Sequence, residues 1–191
     1  MNLKTYAKIR SGLVLSRKKA QGPDGIDYKL LNLRSVADAG YIDMDELDDY
    51  RASEVLSQDY LTHAGDIVVR LSAPYTAVLI DKKTEGIVVS SNFVTIRTDI
   101  SKILPEYLFW FLNTENLKKY IYENATSNVL NAVTAKYYAN LKWKAIPLKD
   151  QKIIAEINQQ AKREVMLLNQ LAKEKEKYYT AAIQQFQKAR K

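Results

Sequence analysis

Apolar and polar positions divide the chain into two regions that follow different periods. From residue 1 to about residue 148, short apolar runs alternate with turn punctuation. From residue 149 to residue 191 there is no Gly and no Pro, and apolar residues recur at helical spacing. In the first region Ser16 to Gly25 reads as a loop, because Gly22, Pro23 and Gly25 fall within four residues. A strand is expected around Tyr28 to Leu33. Asp45 to Leu56 reads as a polar surface segment, with a short helix as the regular element considered for it. Gly65-Asp66 is a turn that launches the β-branched run Ile67-Val68-Val69-Arg70-Leu71. Pro74 interrupts, and Thr76 to Ile80 resumes as a strand. Gly86 opens Ile87-Val88-Val89, and Phe93 to Arg97 mixes apolar and polar positions as a strand does. These short strands predict a small mixed sheet. Helices follow. Pro105 suits the first turn of one carrying Leu108, Phe109, Phe111 and Leu112. Thr114 and Thr134 are N-cap candidates for helices through Leu117, Tyr120 and Ile121 and over Ala135 to Leu141.

In the second region an approximate heptad path runs through Ile154, Ile157, Ala161, Glu164, Leu168, Leu171, Lys175, Tyr178, Ala182 and Gln185. A second line through Ile153, Val165, Ala172, Tyr179, Ile183 and Phe186 widens the stripe beyond a two-stranded seam. A continuous helix from Asp150 to Lys188 would extend roughly 58 Å at 1.5 Å per residue. The first region is too small to cover that length, so part of the helix needs a partner. Ile154, Ile157, Ala161, Leu168, Leu171, Tyr178, Ala182 and Phe186 are the residues expected to pair two copies. The fold class is α/β (α+β): a small mixed-sheet domain over 1–148, then a long coiled-coil helix over 149–191.

Composition narrows the chemistry. With no Cys among 191 residues, disulfides, thiolate chemistry and Cys-ligated zinc are excluded. His63 is the single histidine, which leaves little for His-rich metal sites or His-based acid–base catalysis. A hydrophobic fraction of 47% with six Gly and four Pro argues against a disordered chain. No apolar stretch approaches the ~20 residues of a membrane span, and the first residues carry no secretory apolar run. A soluble, cytoplasmic protein without membrane contact is expected.

Charge adds a direction. Lys and Arg number 29 against 22 Asp and Glu, a net +7. Residues 1–36 hold eight cations and two acids, residues 37–148 eleven and fifteen, and residues 149–191 ten and five. The acidic middle includes Asp43, Asp45, Glu46, Asp48 and Asp49. Two basic ends around an acidic middle favour an oriented polyanion-binding surface over lysine spread for solubility.

Catalytic constellations are missing. The sequence has no Gly-x-Gly-x-x-Gly, no P-loop and no nucleophile elbow. Ser72-Ala73-Pro74-Tyr75 has a faint likeness to the Pro-Pro-aromatic loop of amino-methyltransferases, but lacks its first proline and any glycine-rich cofactor loop before it. Asp66 and Asp81, with Glu85 nearby, could imitate a nuclease's acidic metal cluster; turn residues at strand ends explain them more simply. Binding groups are better represented. Arg10-Ser11 and Arg17-Lys18-Lys19 are loop-placed donors, Arg34 follows a strand, and Arg70 and Ser72 flank another. Such cations neutralise phosphates, and an Arg fork also reads guanine. Asn92, in the trio Ser90-Ser91-Asn92, could pair with adenine or merely make a turn. Asn128 and Asn131 lie in a polar loop between helices, followed by Lys136 and Tyr137-Tyr138. Arg and Lys are expected on phosphates, Asn and Ser nearer base edges.

The order of these segments resembles one target-recognition domain plus spacer helix of the DNA specificity (S) subunits of type I restriction–modification systems. The passage Ile146-Pro147-Leu148-Lys149-Asp150-Gln151-Lys152-Ile153-Ile154-Ala155-Glu156-Ile157 is similar to that family's Ile-Pro-Leu-Pro-Pro-x-x-Glu-Gln-x-x-Ile-Ala-x-Ile-Leu junction, without its later prolines. Gly65-Asp66-Ile67-Val68-Val69, Ser72-Ala73-Pro74, Leu104-Pro105-Glu106-Tyr107-Leu108, Asn124-Ala125-Thr126-Ser127 and Ile9-Arg10-Ser11-Gly12 also fit. The resemblance implies a non-catalytic reader of double-stranded DNA with no cofactor of its own. Modification subunits dock on such readers, use S-adenosylmethionine to methylate adenine, and can be joined by a restriction subunit. S subunits usually carry two recognition domains and two helices, and this sequence holds one of each. A half-length reader that homodimerises through its helix on a symmetric, interrupted target is therefore expected. The other readings are an interaction protein that joins or inhibits such a complex through the helix, and an enzyme acting alone.

Overall fold

A computed structural model describes residues 1–125, 133–144 and 146–189. They form two compact units, Met1–Lys152 and Ile153–Lys191.

Among the described residues the first unit is built on nine strands. Strand β1 (Ala7–Ser11), β9 (Phe93–Thr98), β6 (Asp66–Arg70) and β7 (Ala77–Leu79) form an antiparallel sheet in that spatial order. Its two central strands are buried along Ile67–Val69 and Phe93–Ile96, which is why β-branched residues fill both. A second sheet places β2 (Ile26–Leu31) between β5 (Asp48–Ala52) and β8 (Val88–Val89), antiparallel to the first and parallel to the second. This is the mixed sheet expected, now one of three. The third is the short pair β3 (Val36–Ala37) and β4 (Tyr41–Ile42).

Where β2 pairs with β8, both faces are buried. Leu30 and Val88 enter a cluster with Leu13, Tyr50, Leu56 and Leu61, while Leu31 and Val89 enter one with Val36, Ile42, Val68, Val78 and Phe93. Period-two alternation thus sends neighbouring residues of one strand into different cores. The sheets meet at Gly12. Its amide donates to the Phe93 carbonyl at 3.1 Å, and Leu13 then bridges Ser90 in parallel.

The segment Asp45 to Leu56 corrects the sequence reading. One helical turn, Met44–Glu46, precedes strand β5. In β5 Tyr50 and Ala52 point inward and Asp49 and Arg51 outward. Those two outward charges sit opposite Lys29 and Asp27 and pair with them, Nζ to Oδ1 at 2.7 Å and Nε to Oδ1 at 2.6 Å. Cross-strand charge pairs make a strand of a segment whose polarity alone suggests a helix.

Helices close the first unit: α1 (Pro105–Leu112), α2 (Glu115–Ala125), α3 (Ala135–Asn140) and the start of α4 (Leu148–Lys188). Pro105 occupies the first turn of α1, and Thr134 caps α3 by accepting from the Tyr137 amide. Asn113 donates to the Ala77 carbonyl at 3.0 Å and accepts from its amide at 3.1 Å, so one side chain covers a peptide of edge strand β7. The fully buried Gln151 clamps the first turn of α4. Its Nε2 donates to the carbonyls of Lys102 and Ile146, and its Oε1 accepts from the Leu104 amide at 2.9 Å.

Asp66 and Asp81 both hold structural positions. The buried Asp66 accepts a two-pronged pair from Arg97, 2.7 Å on each oxygen, and the His63 amide at 3.0 Å. Asp81 and Thr84 form a reciprocal cap on a one-turn helix, and the Thr84 hydroxyl holds the Asp81 carboxyl below the usual range. Arg97→Ala should leave Asp66 a buried carboxylate with one amide donor and cost about 2 kcal/mol in urea unfolding.

The second unit is helix α4 beyond Lys152. Its surface repeats the two apolar lines expected, with Ile157, Leu168, Leu171, Tyr178, Tyr179, Ile183 and Phe186 each more than half exposed. Val165, Met166, Leu167 and Leu168 follow one another, and at 100° per residue they place apolar side chains all round the helix. No helix among the described residues is long and apolar enough to cross a membrane.

Candidate nucleic-acid interface

Four separate stretches of the first unit converge on one cleft of about 450 Å³. The end of β1 supplies Ser11, the turn after β6 supplies Ser72, the turn before β9 supplies Ser91 and Asn92, and the start of α3 supplies Thr134. Val14, Leu71, Val133 and Ala135 form its apolar lining, and among the described residues no charged side chain lines it. Among the described residues no hydrogen bond engages the side chains of Ser11, Ser72, Ser91 or Asn92, whereas the backbone beneath them is fixed. The Leu71 amide donates to the Asn92 carbonyl at 2.9 Å, the Val133 amide to the Leu71 carbonyl at 2.8 Å, and the Ser91 amide to the Leu13 carbonyl at 2.8 Å. Tyr75 ends the turn that carries Ser72, with φ at +55° and its ring buried. A bulky residue rarely adopts that conformation, so the packed ring holds the turn in place.

Three of the expected contact residues, Ser11, Ser72 and Asn92, therefore come together. Arg70 ends β6 next to this cleft, half-buried, and its Nε has no hydrogen-bond partner among the described residues. Ser11 and Arg10 lie on a strand rather than in the loop the sequence suggests, because β1 pairs along its whole length with β9. Lys136 lines a second cleft of about 400 Å³ with Lys142, Tyr120, Tyr137 and Asn140; Thr134 borders both clefts. Asn128 and Asn131 lie outside the described residues.

The remaining cations sort by their partners. Arg10 pairs with Asp59, Lys18 with Glu54, and Arg34 with Asp48 and, at 3.1 Å, Glu46. The Glu54 carboxylate raises the Lys18 pKa, and the Arg51 guanidinium lowers that of Asp27. Arg17, Lys19, Lys136 and Lys142 form no ion pair with any described residue. These four are among the charges left available to a polyanion. Among the described residues no group of three or more His, Asp or Glu side chains could hold a metal ion.

Sequence reasoning missed Lys142 and Tyr120, which line the same cleft as Lys136 because α2 and the segment from α3 to Lys142 border it. It named Thr134 as a cap without seeing that the same residue borders both clefts.

Solved chains of type I R-M systems share the fold of this chain. The HsdS subunit from Thermoanaerobacter tengcongensis superimposes with a TM-score of 0.64 at 18% identity, covering 88% of this chain and 43% of that one. A chain from a structure of complex assembly and conformational transition in the type I R-M system gives 0.63 at 16% identity, with the same coverage. The fold is thus that of HsdS, and the chain spans less than half the length of either structure. No family model and no curated protein matches the sequence.

Proposed function

We propose that this chain is a non-catalytic, sequence-specific DNA reader: a specificity subunit of a type I restriction–modification system, or the corresponding part of one. The shared fold over 88% of the chain carries this reading. The neutral cleft with a basic cleft beside it supplies the chemistry, since base edges are read by neutral groups and phosphates by cations. Two copies pair along α4 through Ile154, Ile157, Ala161, Leu168, Leu171, Tyr178, Ala182 and Phe186, and so set two recognition domains on a symmetric, interrupted site. The apolar girdle at Val165–Leu168 exceeds what one partner helix covers, which leaves room for the modification subunits on the same helix. Those subunits carry S-adenosylmethionine and the chemistry; this chain supplies the address, in the cytoplasm.

Lys19 tests the phosphate part of the reading. Lys19→Ala should weaken binding to duplexes of every sequence and reduce the slope of log K against log salt by about 0.9. An unchanged slope in fluorescence-anisotropy titrations removes Lys19 from the interface.

A second reading has its own observation. Arg10, Lys18 and Arg34 are already paired with acids, which depletes the basic end and favours an interaction protein that works through α4 alone. Such a protein shows no sequence preference for DNA even when the modification subunit is supplied.

A further inference from the structure

We propose that the neutral cleft reads an A·T base pair, with Asn92 as the residue that sets the choice. The inference rests on the DNA-reading function and goes beyond it to the base recognised. Among the described residues every polar group that lines the cleft is uncharged, so the lining itself suits a base edge better than a phosphate, which falls to cations outside it such as Arg70. The Asn92 amide carries one donor and one acceptor side by side, is exposed, and has no hydrogen-bond partner among the described residues. That pair matches the N6 donor and N7 acceptor of adenine in the major groove, and no other base presents them together there. Val14, 40% exposed, and Ala135 give the same cleft an apolar lining, which suits the thymine methyl group on the opposite strand. Ser72 adds a hydroxyl that accepts or donates, so it supports either orientation of the pair. Guanine is most often read by an Arg or Lys and cytosine by an acid, and among the described residues neither lines the cleft.

The test is selection of bound duplexes from a randomised library by the full chain, followed by affinity measurements on the selected sequence. Wild type should select a motif containing A·T, and Asn92→Asp should change that position to C·G, because a carboxylate accepts from cytosine N4. On the wild-type motif, Asn92→Asp should bind roughly 10- to 100-fold more weakly. Asn92→Ala should lose preference at the one position while keeping the wild-type salt slope. Should Asn92→Asp and Asn92→Ala both select the unchanged motif, the cleft does not read this base, and the DNA-reading function stands. Failure of wild type to select any motif overturns the function itself and the cleft assignment with it.

Discussion

Replacing Gly12 by alanine should destabilise the first unit by at least about 3 kcal/mol, seen as a fall of about 10 °C in its melting temperature. A β-carbon at Gly12 would stand 2.1 Å from the Ser90 carbonyl oxygen and 2.5 Å from that of Val89. Both neighbours are backbone, so no side chain can rotate aside. Relief requires pulling the chain away from Val89–Ser91. That motion breaks the Leu13 amide bond to Val89 at 2.7 Å and the Ser91 amide bond to Leu13 at 2.8 Å. Each such bond contributes about 1 kcal/mol, and Leu13 leaves its core cluster as well. Gly22→Ala is the matched control. Nothing lies within 4 Å of its added carbon, and the change should stay within about 0.5 kcal/mol. Equal effects at the two positions would mean that the sheets do not cross at Gly12 as described.

Self-association should disappear in the double variant Leu168→Glu, Leu171→Glu. Both leucines stand more than half exposed on α4, on the line assigned to the pairing of two copies. In a symmetric pair four leucines leave the interface, each contributing about 2 kcal/mol of burial, and four carboxylates enter it. The dimer dissociation constant should rise at least about 1000-fold. Sedimentation equilibrium at micromolar concentration should give a dimer for the wild type and a monomer for the variant. The melting of the first unit should be unchanged. A wild-type chain of monomeric mass would remove the symmetric-reader model, while the interaction reading would survive.

Elements with a strong local signal were legible in the sequence. The buried strands β6, β8 and β9 follow from β-branched runs behind Gly65 and Gly86, and α4 follows from an apolar stripe without Gly or Pro. Strand β5 was not legible, because its outward residues are charged and its pairing to β2 depends on partners some twenty residues away. Of the interface, Ser11, Ser72 and Asn92 were named one by one, but their convergence follows from sheet order rather than from any motif.

Charge shows the sharpest difference between chain and fold. In sequence the basic first segment and the acidic middle are separate. In the structure Arg10, Lys18, Lys29 and Arg34 meet Asp59, Glu54, Asp49 and Asp48, so half of the eight cations in residues 1–36 are compensated. Segregation along the chain was partly a device for pairing strands and loops. The charge left for a polyanion is accordingly smaller than the sequence count of the first segment suggests.

The apolar girdle at Val165–Leu168 makes the amount of protein a variable in its own right. On the pairing proposed above, the part of this 41-residue helix beyond Lys152 folds by mass action, so its stability rises with the concentration of whatever pairs with it. The first unit, with its own closed cores, has no such dependence. On that pairing one chain joins a part whose order is fixed by its sequence to a part whose order is set by supply.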